Sequence, residues 1–94
     1  MSERIIENYL KLQCKKHGFL CFKFAPCGYN GVPDRIVIGN GLTVFVELKA
    51  PGKKPRENQV AMHKLMRRAG AIIFVIDSKA GVNALLSEMM KDIN

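Results

Sequence analysis

Gly31-Val32-Pro33-Asp34-Arg35-Ile36-Val37-Ile38-Gly39-Asn40-Gly41-Leu42-Thr43-Val44-Phe45-Val46-Glu47-Leu48-Lys49 is the stretch from which the architecture is read. An Asp leaves a Pro-stiffened turn, an apolar strand follows, and Gly39-Asn40-Gly41 turns the chain back. The next strand then carries Glu47 and Lys49 inside an otherwise apolar run. Side chains two apart on a strand share a face, so Glu47 and Lys49 stand together, about 7 Å apart along the chain, with Val44, Val46 and Leu48 on the other face. A carboxylate in Val-Phe-Val-Glu-Leu is costly to bury unless it is paired or holds a metal. The simpler alternative is a Glu47–Lys49 ion pair on an exposed strand face. If Asp34 comes to the same place across the sheet, two carboxylates can hold a hard divalent cation, with the Lys beside it facing an attacking water or a phosphate.

Outward from this hairpin the pattern reads α-β-β-β-α-β-α. Ser2 caps a helix to about Lys16 that Gly18 stops, with an apolar arc of Ile5, Ile6, Tyr9, Leu10 and Leu12. Phe19 to Ala25 reads as a strand, with Leu20, Phe22 and Phe24 on one apolar face. Pro26 to Pro33 is a Gly- and Pro-rich loop, Asp34 to Ile38 the second strand and Leu42 to Ala50 the third. After a basic loop, Pro55 suits the first position of a helix to about Ala69. Ala71 to Ile76 is continuously apolar, as in a buried strand. Ser78 caps a last helix to about Lys91. The short connections predict an antiparallel meander of three strands. The helix between the third and fourth predicts a parallel pair with a right-handed crossover. The expected fold is α/β, a mixed sheet flanked by helices, in a single domain over residues 1–94.

Fifteen basic residues against eight acidic ones give a formal net charge of +7. That balance points to a polyanionic partner, although a merely basic protein would show it too. Lys49, Lys53, Lys54 and Arg56 cluster at the end of the Glu-containing strand. Lys64, Arg67 and Arg68 follow, and Lys11, Lys15 and Lys16 lie on the first helix. No apolar run is long enough for a membrane span, and Met-Ser-Glu-Arg opens an amphipathic helix rather than a signal peptide. Three Cys, at positions 14, 21 and 27, are an odd number without a paired C-x-x-C. They argue against a disulfide framework and against zinc bound with His17, and for a reducing, cytoplasmic setting.

Four segments in order resemble the VRR-NUC (virus-type replication-repair nuclease) domain of the PD-(D/E)XK nuclease superfamily. They are Ile6-Glu7-Asn8-Tyr9-Leu10, Gly31-Val32-Pro33-Asp34-Arg35, Val46-Glu47-Leu48-Lys49-Ala50-Pro51-Gly52, and Pro55-Arg56-Glu57-Asn58-Gln59. The resemblance covers nearly the whole chain and is to stand-alone, viral or phage-like forms. It implies a restriction-endonuclease-like core and a DNA endonuclease that depends on Mg²⁺ or Mn²⁺. It further implies a homodimer acting on branched DNA such as four-way junctions. Asp34, Glu47, Glu7 and the carbonyl of Leu48 are then the metal ligands. Lys49 orients the water or stabilises charge, and Gln59 belongs to the active site. Glu3 lies one helical turn before Glu7 on nearly the same face and is the alternative helix carboxylate. Lys53, Lys54, Arg56 and Arg35 are expected DNA contacts, with Tyr29 a further one. Two competing classes remain: a binding module whose carboxylates are inert, and a Mg²⁺ enzyme acting outside nucleic acids, which the basic loop disfavours.

Overall fold

The computed structural model describes residues 1–91 and contains seven elements: α1 (Glu3–Lys16), β1 (Leu20–Lys23), β2 (Arg35–Gly39), β3 (Leu42–Leu48), α2 (Glu57–Arg68), β4 (Ile73–Ile76) and α3 (Lys79–Met89). Their order is the expected one. The strands form one sheet in the order β1-β2-β3-β4. β1, β2 and β3 pair antiparallel, and β3 pairs with β4 in parallel, the two joined through α2. Ser2 accepts a hydrogen bond from the Ile5 N–H and Ser78 one from the Gly81 N–H, so both serines cap the helices assigned to them. Gly39 pairs with Leu42, leaving Asn40 and Gly41, at φ 51° and 79°, as a two-residue turn of the kind that matches sheet twist.

Strand alternation sorts the sheet into two unlike faces. Val37, Val44, Val46, Leu48 and Ile76 point to one side, where Ile6, Leu10 and Cys14 of α1 and Val82, Leu85, Leu86 and Met89 of α3 complete the buried core. Phe45 and Glu47 point to the other side. There α2 reaches the sheet through a Gln59–Glu47 hydrogen bond and an Arg67 bond to the Ile73 carbonyl.

Three details depart from the periodicity. Leu20 and Phe22, on the apolar face of β1, are half exposed, because α2 does not extend over the β1 edge. In the apolar run toward β4, Ile72 and Val75 are exposed while Ile73 and Ile76 are buried, since β4 forms the opposite edge of the sheet. Pro55 lies ahead of α2 rather than at its first position, because Arg56 is extended (φ −70°, ψ 164°) and serves as the cap.

The Gly31–Pro33 loop is pinned against the start of α2. Gly31 has φ +80°, and a Cβ there would lie 2.5 Å from the Asn58 carbonyl oxygen. Glycine is therefore required twice, for its backbone conformation and for the close approach. Gly28, at φ +83°, has nothing within 4 Å of that position and isolates the conformational part. Gly28→Ala is expected to cost about 1 kcal/mol and Gly31→Ala about 2 kcal/mol or more, read by chemical denaturation. Equal losses would show that the loop–helix contact contributes nothing.

Candidate functional site

Asp34 ends the Gly31–Pro33 approach immediately before β2, and two bonds hold it. Its carbonyl accepts from Phe24 N–H at 2.7 Å, extending the β1–β2 ladder. Its carboxylate Oδ2 accepts from Leu48 N–H at 3.0 Å. That second bond brings the Asp34 carboxylate to the end of β3, beside Glu47 and Lys49.

Glu47 is 1% exposed. Its Oε2 accepts from Gln59 Nε2 at 2.8 Å and faces Lys49 Nζ at 3.3 Å. Its Oε1 is buried with no hydrogen-bond partner. Burial raises the Glu47 pKa above its ordinary value, and the Asp34 charge raises it further; Lys49 opposes both. The exposed-surface ion pair is therefore excluded as the reading of Glu47 and Lys49, since Lys49 too is only 13% exposed along its side chain.

Gln59 is buried at the first turn of α2 and uses both ends of its amide. Its Oε1 accepts from the Arg56 N–H at 2.9 Å while Nε2 holds Glu47. The same helix face one turn later carries His63, 2% exposed, with its Nε2 unpartnered. Burial lowers the His63 pKa, as do the charges of Arg67 and Lys49, with Asp34 opposing, so the imidazole is held neutral. Sequence reasoning assigned His63 no role. The signal available was its i+4 spacing from Gln59. Asp77 was also missed: it accepts from the Gly52 N–H at 3.1 Å and anchors the basic loop just after β3. Lys53, Lys54 and Arg56 on that loop are exposed, as is Tyr29.

Two residues expected at the site are placed elsewhere. Glu7 accepts from Arg35 Nε at 3.1 Å, and the Arg35 side chain is only 12% exposed. Val46, cross-strand partner of Arg35, is part of the buried core beneath α1, so this pair lies on the α1 side of the sheet, away from Glu47. Arg35 is thus turned inward rather than toward the surface of Lys53 and Lys54. The helix carboxylate whose charge reaches Glu47 is Glu3.

Among the described residues, no group of three or more His, Cys, Asp and Glu side chains is arranged to hold a metal ion. The donors on hand are the two carboxylates, Asp34 and Glu47, and backbone oxygen. A buried, unpartnered carboxylate oxygen next to a second carboxylate nevertheless suits a hard divalent cation, which would satisfy the oxygen and offset the repulsion. Among the described residues, no helix is long and apolar enough to cross a membrane.

Comparison with known proteins gives two close likenesses. The chain is 41% identical over 80 residues to "Putative nuclease p44" of Acyrthosiphon pisum secondary endosymbiont phage 1, spanning 84% of this chain and 86% of that protein. It also superposes on a solved structure described as a "VRR_NUC domain" with a TM-score of 0.82 and 32% identity, over 90% of this chain and 94% of that one. No family model matches the chain.

The raised Glu47 pKa makes a prediction for the metal-free protein. The folded state holds the Glu47 proton more tightly than the unfolded state does. Stability is therefore unpenalised below the ordinary value of 4.5 and falls as pH rises above it. Glu47→Gln, neutral throughout, is expected to melt higher than wild type at pH 7 in chelator, with the gap closing toward pH 4. A wild type that melts higher at pH 7 would mean that Lys49 and Gln59 fully compensate the buried charge.

Proposed function

The chain belongs to the VRR-NUC family of nucleases, and from that premise we propose a divalent-metal-dependent DNA endonuclease built on Asp34, Glu47 and Lys49. The observation that carries this reading is the lone Glu47 Oε1, buried beside Asp34 with no protein group to satisfy it. Asp34, Glu47 and the Leu48 carbonyl would hold Mg²⁺ or Mn²⁺. Such an ion, when bound, supplies Lewis-acid stabilisation of the phosphodiester and lowers the pKa of water.

The chain's own residues do the rest. Gln59 and Lys49 both engage Oε2 of Glu47, which fixes the carboxylate and leaves Oε1 free for a ligand. Lys49 presents a fixed ammonium where negative charge grows on the phosphate or the attacking water. Lys53, Lys54 and Arg56 stand exposed on the loop that leaves β3 and offer phosphate contacts. Of the helix carboxylates, Glu3 is favoured to face the ion, on its charge at Glu47. Glu7 acts instead by holding Arg35, the residue next to Asp34.

Branched DNA is the proposed substrate and a homodimer the proposed assembly. Two sites related by a two-fold axis suit a symmetric four-way junction. The half-exposed Leu20 and Phe22 on β1 provide apolar surface that a second copy can cover.

Asp34→Ala, Glu47→Ala and Lys49→Ala are each expected to lower cleavage of a labelled junction in Mg²⁺ or Mn²⁺ by about 100-fold or more, with DNA binding retained. Glu3→Gln should cost more activity than Glu7→Gln, which should instead lower stability by stranding Arg35. An inactive Glu7 variant beside an active Glu3 variant gives the ligand role to Glu7. A wild type that binds junctions but cuts under no divalent ion leaves only a binding module.

Affinity should also fall steeply with salt. Lys53→Ala and Lys54→Ala should each flatten the plot of log K against log salt by about one unit. Light scattering should give a dimer mass, and four-way junctions should compete better than linear duplex. A monomer that prefers flaps would sink the junction assignment and leave the nuclease intact.

A further inference from the structure

Where the end of α1 meets the start of β1, a cavity of about 470 Å³ is lined by residues that include Lys11, Cys14, Lys15, Phe19, Cys21 and Phe22. It is the place where the chain doubles back from α1 into β1. The Phe19 N–H returns to the Cys14 carbonyl at 2.8 Å, which draws the start of β1 over the last turn of the helix. Cys14 is buried in the core, and Cys21, half-buried, packs against the same cluster. Both thiols line this cavity, and Cys21 follows by two residues the Phe19 N–H that bonds back to the Cys14 carbonyl, so β1 carries its thiol over the helix turn that holds Cys14. Nothing in the nuclease chemistry uses either thiol.

We propose that Cys14 and Cys21 form a reversible dithiol–disulfide site that cross-links α1 to β1, with Cys21 the attacking thiol and a small-molecule disulfide as the oxidant. The Cys21 thiolate attacks one sulfur of the oxidant, forming a mixed disulfide and releasing one thiol. The Cys14 thiolate then attacks the Cys21 sulfur, forming the internal disulfide and releasing the second thiol. Two protein thiols and one disulfide thus yield one internal disulfide and two small thiols.

The surroundings suit these roles. The Cys14 hydrogen bond and the positive charges of Arg35 on β2 and Lys11 on α1 lower the Cys21 pKa to about 7, against burial and the charge of Glu7. The Cys14 pKa is raised, chiefly because it donates its proton to Cys21. Once Cys21 is bonded to the oxidant, that thiolate acceptor is gone and Cys14 is easier to ionise. Both thiols line the cavity, but Cys21 is half-buried and Cys14 buried, so the oxidant meets Cys21 first.

The test uses the full chain carrying Cys27→Ser, which removes the exposed third thiol. It is equilibrated with mixtures of reduced and oxidised glutathione and read by intact mass, with circular dichroism to confirm the fold. The expected product has lost two hydrogens and carries no glutathione, melts about 5 °C or more above the reduced form, and reverts with dithiothreitol. Adding Cys14→Ser should arrest the reaction at one glutathione on Cys21. Alkylation of Cys21 by iodoacetamide in that background tests the approach alone. Folded protein that keeps both thiols under oxidised glutathione, or that stops at the mixed disulfide with Cys14 present, overturns the proposal. The result is independent of whether the chain cleaves DNA.

Discussion

Glu47 lies near the end of the interior strand β3, with one carboxylate oxygen doubly engaged and the other with no partner. The local structure around it can be read as the means of making that arrangement tolerable. Lys49 and Gln59 neutralise and bond Oε2, yet neither reaches Oε1. Asp34 would relieve nothing; its own charge makes the burial harder. A chain selected for stability alone would place an apolar residue at this position. The energetic penalty is concentrated on the carboxylate proposed to hold the ion, a common way for a site to be held ready at the expense of the fold.

The rest of the architecture brings Asp34 and Gln59 to that carboxylate from opposite directions along the chain. The antiparallel β2–β3 hairpin returns the chain so that Asp34 meets the Leu48 N–H. The parallel β3–β4 crossover forces an intervening helix, and its first turn delivers Gln59. Gly31 closes the circuit by letting the loop that carries Asp34 lie directly on the Asn58 carbonyl. The opposite face of the sheet is an ordinary apolar core shared by α1 and α3. The division of labour follows from strand alternation: Val46 and Leu48 bind the domain together while Glu47 between them faces the site.

Much of this was legible in the residues because it is local. Alternation placed Glu47 and Lys49 together, Asn40-Gly41 specified the turn, and Ser2 and Ser78 marked helix starts. The element order and the mixed sheet followed from connection lengths. What was not legible depends on where elements lie relative to one another. Leu20 and Phe22 alternate as buried residues would, but α2, on their face of the sheet, does not extend over β1. Glu3 and Glu7 share a helix face. Only the seating of α1 on the sheet shows that Glu7 meets Arg35, which also turns Arg35 away from the surface. His63 looked ordinary because its burial and its unpartnered nitrogen are products of packing, not of any motif.

The two-ended use of the Gln59 amide joins two parts of the chain that make no other side-chain hydrogen bond to each other among the described residues. One end grips the backbone at Arg56, on the exposed basic loop, and the other grips the buried carboxylate. An amide has little reach, so it cannot follow the loop outward and keep hold of Glu47 as well. If Arg56 were displaced far enough to break that hold, Oε2 would be left to Lys49 alone. The first turn of α2 and the buried carboxylate are thus tied through one side chain.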